Sequence, residues 1–342
     1  MTLNKTDILP MNFFGALMLR AKAVAPSNIA VVKYWGKRDE VLNLPATSSI
    51  SVTLSRLKTE VCVSFDENLG QDEVFVEGER ANEKTYGRVV AFLELIRAKT
   101  KVKMFARAES FSNFPVSSGL ASSASFFAGL TLASANALSA EFTLQELARI
   151  ARLGSGSAPR SMLGGAVEAV AGTSKDGSDF EVLQILPEER VPFALLVVMV
   201  ESKGKAMSSR DGMNLCKTTS PYFHRWLEYN QELVDIARRA LLDGDIKTVG
   251  EVAEASCFAM HGCCMSAKPP LFYWAPNTLS VIEQVFEMRK EGVLVYVTID
   301  AGPHPVLLVP FDLVPIVRER VSKQKGVLDI IEERAGQGAK VL

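Results

Sequence analysis

Histidine is scarce in this chain, with three residues in 342, and the five cysteines (Cys62, Cys216, Cys257, Cys263, Cys264) are odd in number and fall in no paired metal-ligand spacing. The expectation is reduced thiols and no structural zinc. A surplus of either charge is lacking too: 38 Lys and Arg face 39 Asp and Glu, for a net charge of −1. The molecule as a whole therefore has no electrostatic reason to seek nucleic acid or an acidic membrane, and any basic site has to be local. No stretch reaches the ~20 apolar residues of a membrane span. The apolar run over 8–19 faintly resembles a secretory leader, but Pro10 and Asn12 interrupt it and only Lys5 precedes it, so a cytoplasmic location is expected. Internal repeats and low-complexity segments are absent as well.

What is present is ordinary globular material, 48% hydrophobic and 23% charged, in a chain longer than a single core usually supports. Two domains are expected, 1–190 and 191–342, divided after Pro187-Glu-Glu-Arg190. Alternation over 59–65 and 72–77 predicts antiparallel strands, and 84–99 an amphipathic helix with Val89, Phe92, Leu93 and Ile96 on its buried face. The stretch 122–138 is rich in Ala, Gly and Ser with apolar residues on all sides, the pattern of a closely packed buried helix. A helix over 144–153 and strands over 166–171 and 181–186 follow, then a strand at 193–200, helices at 222–242, 246–260 and 280–291, and strands at 293–299 and 306–309.

The segment Pro115-Val-Ser-Ser-Gly-Leu-Ala-Ser-Ser-Ala124 puts glycine and small hydroxyl residues directly before the buried helix. A helix N-terminus carries unpaired N–H groups and about half a positive charge, so such a loop suits a phosphate. Taken alone it also reads as a Ser-rich helix cap, and it is neither a Walker A loop nor a dinucleotide fingerprint.

This segment resembles the ATP-phosphate loop of the GHMP kinase superfamily, Pro-x-x-x-Gly-Leu-x-Ser-Ser-Ala, met here by Pro115, Gly119, Leu120, Ser122, Ser123 and Ala124. Within that superfamily Ala25-Pro-Ser-Asn-Ile-Ala-Val-Val-Lys-Tyr-Trp-Gly-Lys-Arg38 is similar to the N-terminal signature of the diphosphomevalonate decarboxylases, continued by Leu44 to Thr53. Three further blocks resemble the same family: Gly154-Ser-Gly-Ser-Ala-Pro-Arg-Ser161, Ser208-Ser-Arg-Asp-Gly-Met213 and Ile299-Asp-Ala-Gly-Pro303. The phosphate loop departs in reading Val116-Ser117-Ser118 where the family more often has Thr-Ala-Ala.

The resemblance implies an α+β, two-domain GHMP kinase fold, with an N-terminal domain like the second domain of ribosomal protein S5 and a ferredoxin-like C-terminal domain. It also implies a cytoplasmic homodimer. The implied reaction is ATP- and Mg²⁺-dependent decarboxylation of 5-diphosphomevalonate. Asp300 would orient and deprotonate the tertiary hydroxyl, Lys33 would keep Asp300 ionised, Arg160 would fork onto the substrate carboxylate, and Ser123 would face the transferring phosphoryl group. Substrate contacts fall to Asn28, Tyr34, Lys37, Ser155, Gly156, Ser157 and Ser208, and nucleotide contacts to Pro115, Ser118, Gly119, Leu120, Ala121 and Ser122. Without the resemblance Asp300 before Ala301-Gly302 reads as a turn residue and Ser155 and Ser157 as turn formers; His261 sits in a block matching the family but reads as a helix-borne packing residue and is left out of the site. Rival readings are a 5-phosphomevalonate decarboxylase or a mevalonate 3-kinase of the same branch; Lys33 with Asp300 argues against the kinase. An RNA-binding module, suggested by the S5-like fold alone, is opposed by the near-neutral charge.

Overall fold

The computed structural model describes residues 18–115, 120–202 and 207–342. Two long strands, Met18–Val32 and Ser49–Asp66, lie antiparallel from the pair Met18↔Asp66 to the pair Val32↔Ile50. Period-two burial of Leu57, Thr59, Val61, Val63 and Phe65 shows why the second is a strand with one face on a core. Its far half pairs with Phe105–Ser112 and its near half with Ala166–Val170, which in turn pairs with Glu181–Leu186. The strand expected over 72–77 is present as Glu73–Val76, but it runs parallel to Phe105–Ser112 rather than antiparallel. The reason is the connection: helix Glu83–Thr100 lies between the two strands in sequence, and a helical crossover returns the chain in the same direction. That helix buries Val89, Phe92, Leu93 and Ile96, the face read from its periodicity.

The second sheet contains Phe193–Val200, Tyr296–Thr298, Val306–Pro310 and Val327–Glu333, antiparallel throughout, in the spatial order second, third, first, fourth. Helices Ser209–Thr219, Phe223–Asp243, Ile246–Met265 and Pro276–Lys290 lie between its first and second strands, and Val314–Ser322 between its third and fourth. This is the βαββαβ arrangement of a ferredoxin-like unit. Helix Ser209–Thr219 escaped the periodicity reading because it buries only Gly212, Met213 and Cys216. The strand Val327–Glu333 escaped it because its fully buried positions are only Ile330 and the carboxylate residue Glu333.

The two halves share a core. Ile29, Val31, Ile50 and Val52 of the first sheet pack in one cluster with Leu195 and Val197 of the second and with Leu233, Val252 and Ala253 from the helices. The C-terminal segment then crosses back, with Ala335 bridging Leu54 and Lys340–Val341 adding an edge strand beside Ala23 and Val24. The clasp is completed by Glu333, fully buried, whose carboxylate accepts from Ser55 Oγ (3.0 Å) and from the backbone N–H groups of Arg56 (2.8 Å) and Leu57 (3.0 Å).

Glu333→Ala would leave two backbone N–H groups and a hydroxyl without that acceptor. At about 1–3 kcal/mol for each buried donor left unpaired, less what water recovers, a loss of roughly 2–4 kcal/mol in unfolding free energy is expected. Denaturant titration of the variant checks this, and an unchanged midpoint would show that the clasp is not needed.

Candidate functional site

The buried helix expected from the small-residue run is Ser122–Ala137, with eleven buried residues. Its lack of side-chain bulk has a use, since a Cβ on Gly129 would lie 2.8 Å from Val61 Cγ2 of the sheet beneath. Ala121 at its N-terminus offers no capping side chain and takes φ +52°, a left-handed conformation costing a non-glycine residue about 1–2 kcal/mol. Ala121, Ser122 and Ser123 form one wall of a cavity of about 390 Å³. A second cavity of similar volume lies beyond Ser122 and Ser123, against Asn82, Thr85 and Phe126. Leu120 is a core residue whose carbonyl accepts from Ser27 Oγ (2.5 Å). Ser118 and Gly119 lie outside the described residues, and Pro115 is their described neighbour.

Opposite the helix, the strand Met18–Val32 ends at Lys33 and the strand Tyr296–Thr298 leads to Asp300. Lys33 Nζ meets Asp300 Oδ1 at 2.5 Å, with 2% and 21% of their side chains exposed. Nζ also donates to Ala30 O (2.9 Å). Asp300 faces both the large cavity and a small one of about 70 Å³, into which Lys33, Tyr34, Ser157, Arg160 and Met260 also project. A carboxylate held by a buried lysine at the edge of a cavity can orient a hydroxyl and accept its proton.

Arg160 is buried in the short helical turn Ala158–Ser161, with Nε on Ser51 Oγ (3.0 Å) and Nη1 on Ser49 Oγ (2.7 Å). Nη2 has no hydrogen bond among the described residues, so Nε and Nη1 are held by serines and the Nη2 end of the guanidinium is left for a ligand. Burial lowers its pKa to about 10, opposed by the charge of Asp300; it is still a cation at neutral pH. Tyr34 Oη is buried without a hydrogen-bond partner among the described residues, as is Asn28 Oδ1. Asn28 stands behind this turn, donating to Ser161 Oγ (2.8 Å) and Ser157 O (3.3 Å), and borders neither cavity. Gly156 is required beside Tyr34, because a Cβ there would lie 2.3 Å from the phenol oxygen. Ser123, Ser155 and Ser157 form a hydroxyl chain, with steps of 3.1 and 3.3 Å, joining the helix N-terminus to the turn. Ser208 lines the cavity while its hydroxyl serves as N-cap of helix Ser209–Thr219, accepting from Asp211 N (3.2 Å) and donating to Asp211 Oδ2 (2.6 Å).

The local basic site required by the balanced composition is here. Lys37, Lys84, Arg88 and Arg210 border the large cavity, and Asp300 is the sole carboxylate among its described lining residues. Burial, then the charge of Arg210, lowers the Lys37 pKa to about 8, and burial lowers Arg88 to about 10. Only Lys37 of these cations was anticipated. Lys84 and Arg88 sit on a helix whose sequence was read for its apolar face, while Arg210 lies in a block recognised only through Ser208. The arrangement suits a ligand with several negative charges.

Two family models cover most of the chain: a diphosphomevalonate decarboxylase-like N-terminal domain over residues 25–180 and a mevalonate 5-diphosphate decarboxylase C-terminal domain over residues 195–337. The diphosphomevalonate decarboxylase of Candida albicans is 35% identical over 304 residues, covering 85% of this chain and 84% of the relative. A structure of MDDEF in complex with MVAPP, AMPPCP and magnesium superposes with a TM-score of 0.89 at 35% identity, over 95% of this chain and 99% of that one. Another, of the mevalonate diphosphate decarboxylase from Enterococcus faecalis, gives a TM-score of 0.88 at 34% identity over 95% and 99% of the two chains.

Lys37 is a cation below about pH 8 and neutral above it, and an anion binds the cationic form better. Binding of inorganic diphosphate to the cavity is therefore expected to weaken as pH rises through about 8. Calorimetric titration over pH 6–10 checks this, with Lys37→Met as the control that should lack the decline.

Proposed function

Because this chain belongs to the diphosphomevalonate decarboxylase family, we propose that Asp300, Lys33, Arg160 and Ser123 are the groups with which it carries out its reaction. The enzyme decarboxylates 5-diphosphomevalonate with ATP, giving isopentenyl diphosphate, ADP, phosphate and carbon dioxide. The observation that carries the assignment is the buried Lys33–Asp300 pair, whose Asp300 lines a cavity bordered by four cations among the described residues.

Asp300 accepts the proton of the C3 hydroxyl as that oxygen attacks the γ-phosphorus of ATP, and Lys33 keeps the carboxylate ionised beforehand. Ser123, at the helix N-terminus, donates to the phosphoryl oxygens as charge moves onto ADP. The Ser122 and Ser123 hydroxyls are hard oxygen donors that would suit Mg²⁺, which would neutralise part of the ATP charge when bound. Arg160 fixes the substrate carboxylate through the open side of its fork, while Tyr34, Lys37, Ser155, Gly156, Ser157 and Ser208 border the volume left for the rest of the substrate. Asn28 supports the turn that carries these groups. In the second step the C3–O bond breaks, phosphate leaves with the electron pair, and the electrons of the carboxylate C–C bond form the alkene as carbon dioxide departs. The MVAPP, AMPPCP and magnesium of the related complex correspond to this substrate, nucleotide and ion.

Carried with this reading are an ATP-binding unit over 1–190 and a second unit over 191–342, a cytoplasmic location supported by five unpaired thiols, and a homodimer suggested by the family. Four cations on the rim favour the diphosphate over 5-phosphomevalonate.

Purified enzyme with ATP, Mg²⁺ and the diphosphate should release ADP, phosphate and carbon dioxide one to one. ADP without carbon dioxide would indicate a kinase. Asp300→Asn keeps size but removes the base, and turnover should fall by roughly 10²- to 10⁴-fold with nucleotide binding retained; near-normal turnover in the folded variant sinks the assignment. Arg160→Gln should weaken both substrate binding and turnover, which steady-state kinetics reads directly.

A further inference from the structure

Tyr296–Thr298 is the edge strand of the second sheet among the described residues, so one row of its backbone groups has no neighbouring strand. Helix Ile246–Met265 supplies the missing partners from a single stripe. Glu254, Cys257 and His261, at i, i+3 and i+7, share one helix face. Glu254 Oε1 accepts from Val297 N (3.0 Å) and Cys257 Sγ from Ile299 N (3.2 Å), while His261 Nε2 lies 3.2 Å from Ile299 O. Three side chains thus occupy the positions that a paired strand would fill, and the last of them grips the carbonyl directly preceding Asp300.

The same helix holds the other half of the ion pair. Ser256 Oγ accepts from Lys33 N (2.8 Å) and donates to Asn230 Oδ1 (2.7 Å), and Asn230 Nδ2 donates to Lys33 O (3.0 Å). Lys33 and Asp300 are therefore referred to one rigid element through Ser256 and His261.

A carbonyl oxygen can only accept, so His261 Nε2 carries the proton and the ring donates. Burial drives its pKa to about 3, which keeps the imidazole neutral and this tautomer in place across the working pH range. The ring is wedged 4.7 Å from the Trp274 ring, centroid to centroid, and His261 is not itself among the described residues lining the large cavity. A group so placed does not exchange protons with a substrate; it sets where the strand ends.

We propose that His261 is a positioning residue for the reaction, fixing the Asp300 carboxylate against the C3 hydroxyl by donating from Nε2 to the Ile299 carbonyl. The proposal rests on the assignment of Asp300 as the proton acceptor. Without the donor the Ile299 carbonyl keeps only the long contact from the Cys257 thiol (3.5 Å), so the strand end is held less firmly, and a displaced general base loses rate while the phosphate-binding rim, carried on other elements, is untouched.

The test compares His261→Phe and His261→Gln in the full-length enzyme. The Phe variant keeps a ring but loses the donor, so kcat is expected to fall roughly ten- to a hundredfold, with KM for ATP and for the diphosphate substrate within about twofold of wild type. The Gln variant presents an amide N–H near the Nε2 position and is expected to recover most of kcat. If the Phe variant fails to fold, His261→Asn replaces it: its amide is one methylene too short to reach Ile299 O, so activity should survive with Gln and not with Asn. Wild-type kcat in a folded Phe variant, or equal activity of Gln and its comparison variant, overturns the proposal. Asp300→Asn in the same series separates the two failures. If it is inactive while His261→Phe is normal, only the positioning role is lost; if it is active, the assignment of the base is lost as well. Combining His261→Phe with Asp300→Asn should give no loss beyond Asp300→Asn alone.

Discussion

The ion pair between Lys33 and Asp300 is the contact on which the arrangement turns. A lysine ammonium with 2% of its side chain exposed has given up its hydration, a cost of several kcal/mol that only a carboxylate and a well-placed carbonyl can offset. Both partners are present, but they are 267 residues apart and arrive from different sheets. The pair therefore forms only when the two halves dock in one relative position. The shared core of Ile29, Val52, Leu195 and Val252, the Glu333 clasp and the returning Lys340–Val341 strand all restrict that position. Docking is in turn disfavoured in any register that leaves Lys33 buried without Asp300.

Around the pair the polar groups are graded by burial. Lys33 and Arg160 are almost inaccessible, whereas Lys84 and Arg210 on the rim are exposed. This matches two different demands. Proton abstraction and carboxylate orientation gain from a dry, preorganised environment in which each charge acts at full strength. Phosphates, which must enter and leave, are better met by solvated cations that attract without trapping them. The hydroxyl chain from Ser123 through Ser155 to Ser157 joins the regions, since it spans from the helix N-terminus to the turn bearing Arg160.

Much of this was legible in the sequence because it is local. The small-residue run defines the buried helix, since only Ala, Gly and Ser permit the approach that Gly129 makes to Val61. A carboxylate between an apolar strand and Ala301-Gly302-Pro303 marks a strand end at Asp300, and the family resemblance supplies only the role proposed for it. What remained hidden depends on residues distant in sequence. Arg88 belongs to the cavity only because helix Glu83–Thr100 packs beside Ser122 and Ser123, and nothing within that helix reveals it. Glu333 reads as a surface acid until Ser55, Arg56 and Leu57 are brought to it. The parallel pairing of Glu73–Val76 follows from the crossover rather than from its own alternation. Ser208 has a hydroxyl engaged in capping, so its side chain is less available to a ligand than its position on the cavity wall suggests.

If Arg160 holds the substrate carboxylate as proposed, its charge raises a question of sign. A cation bound to a carboxylate stabilises the state before decarboxylation, because carbon dioxide leaves neutral and the guanidinium then loses its counter-charge. By charge alone Arg160 would slow the second step. Its Nε and Nη1 are, however, committed to Ser51 and Ser49, so the guanidinium plane is set before the substrate arrives. The ligand meets one preorganised edge rather than a mobile fork, and what it gains is alignment of the breaking C–C bond with the departing phosphate at C3. Driving force for that step comes from the phosphorylated leaving group and the positive character left at a tertiary carbon. The arginine therefore contributes through orientation.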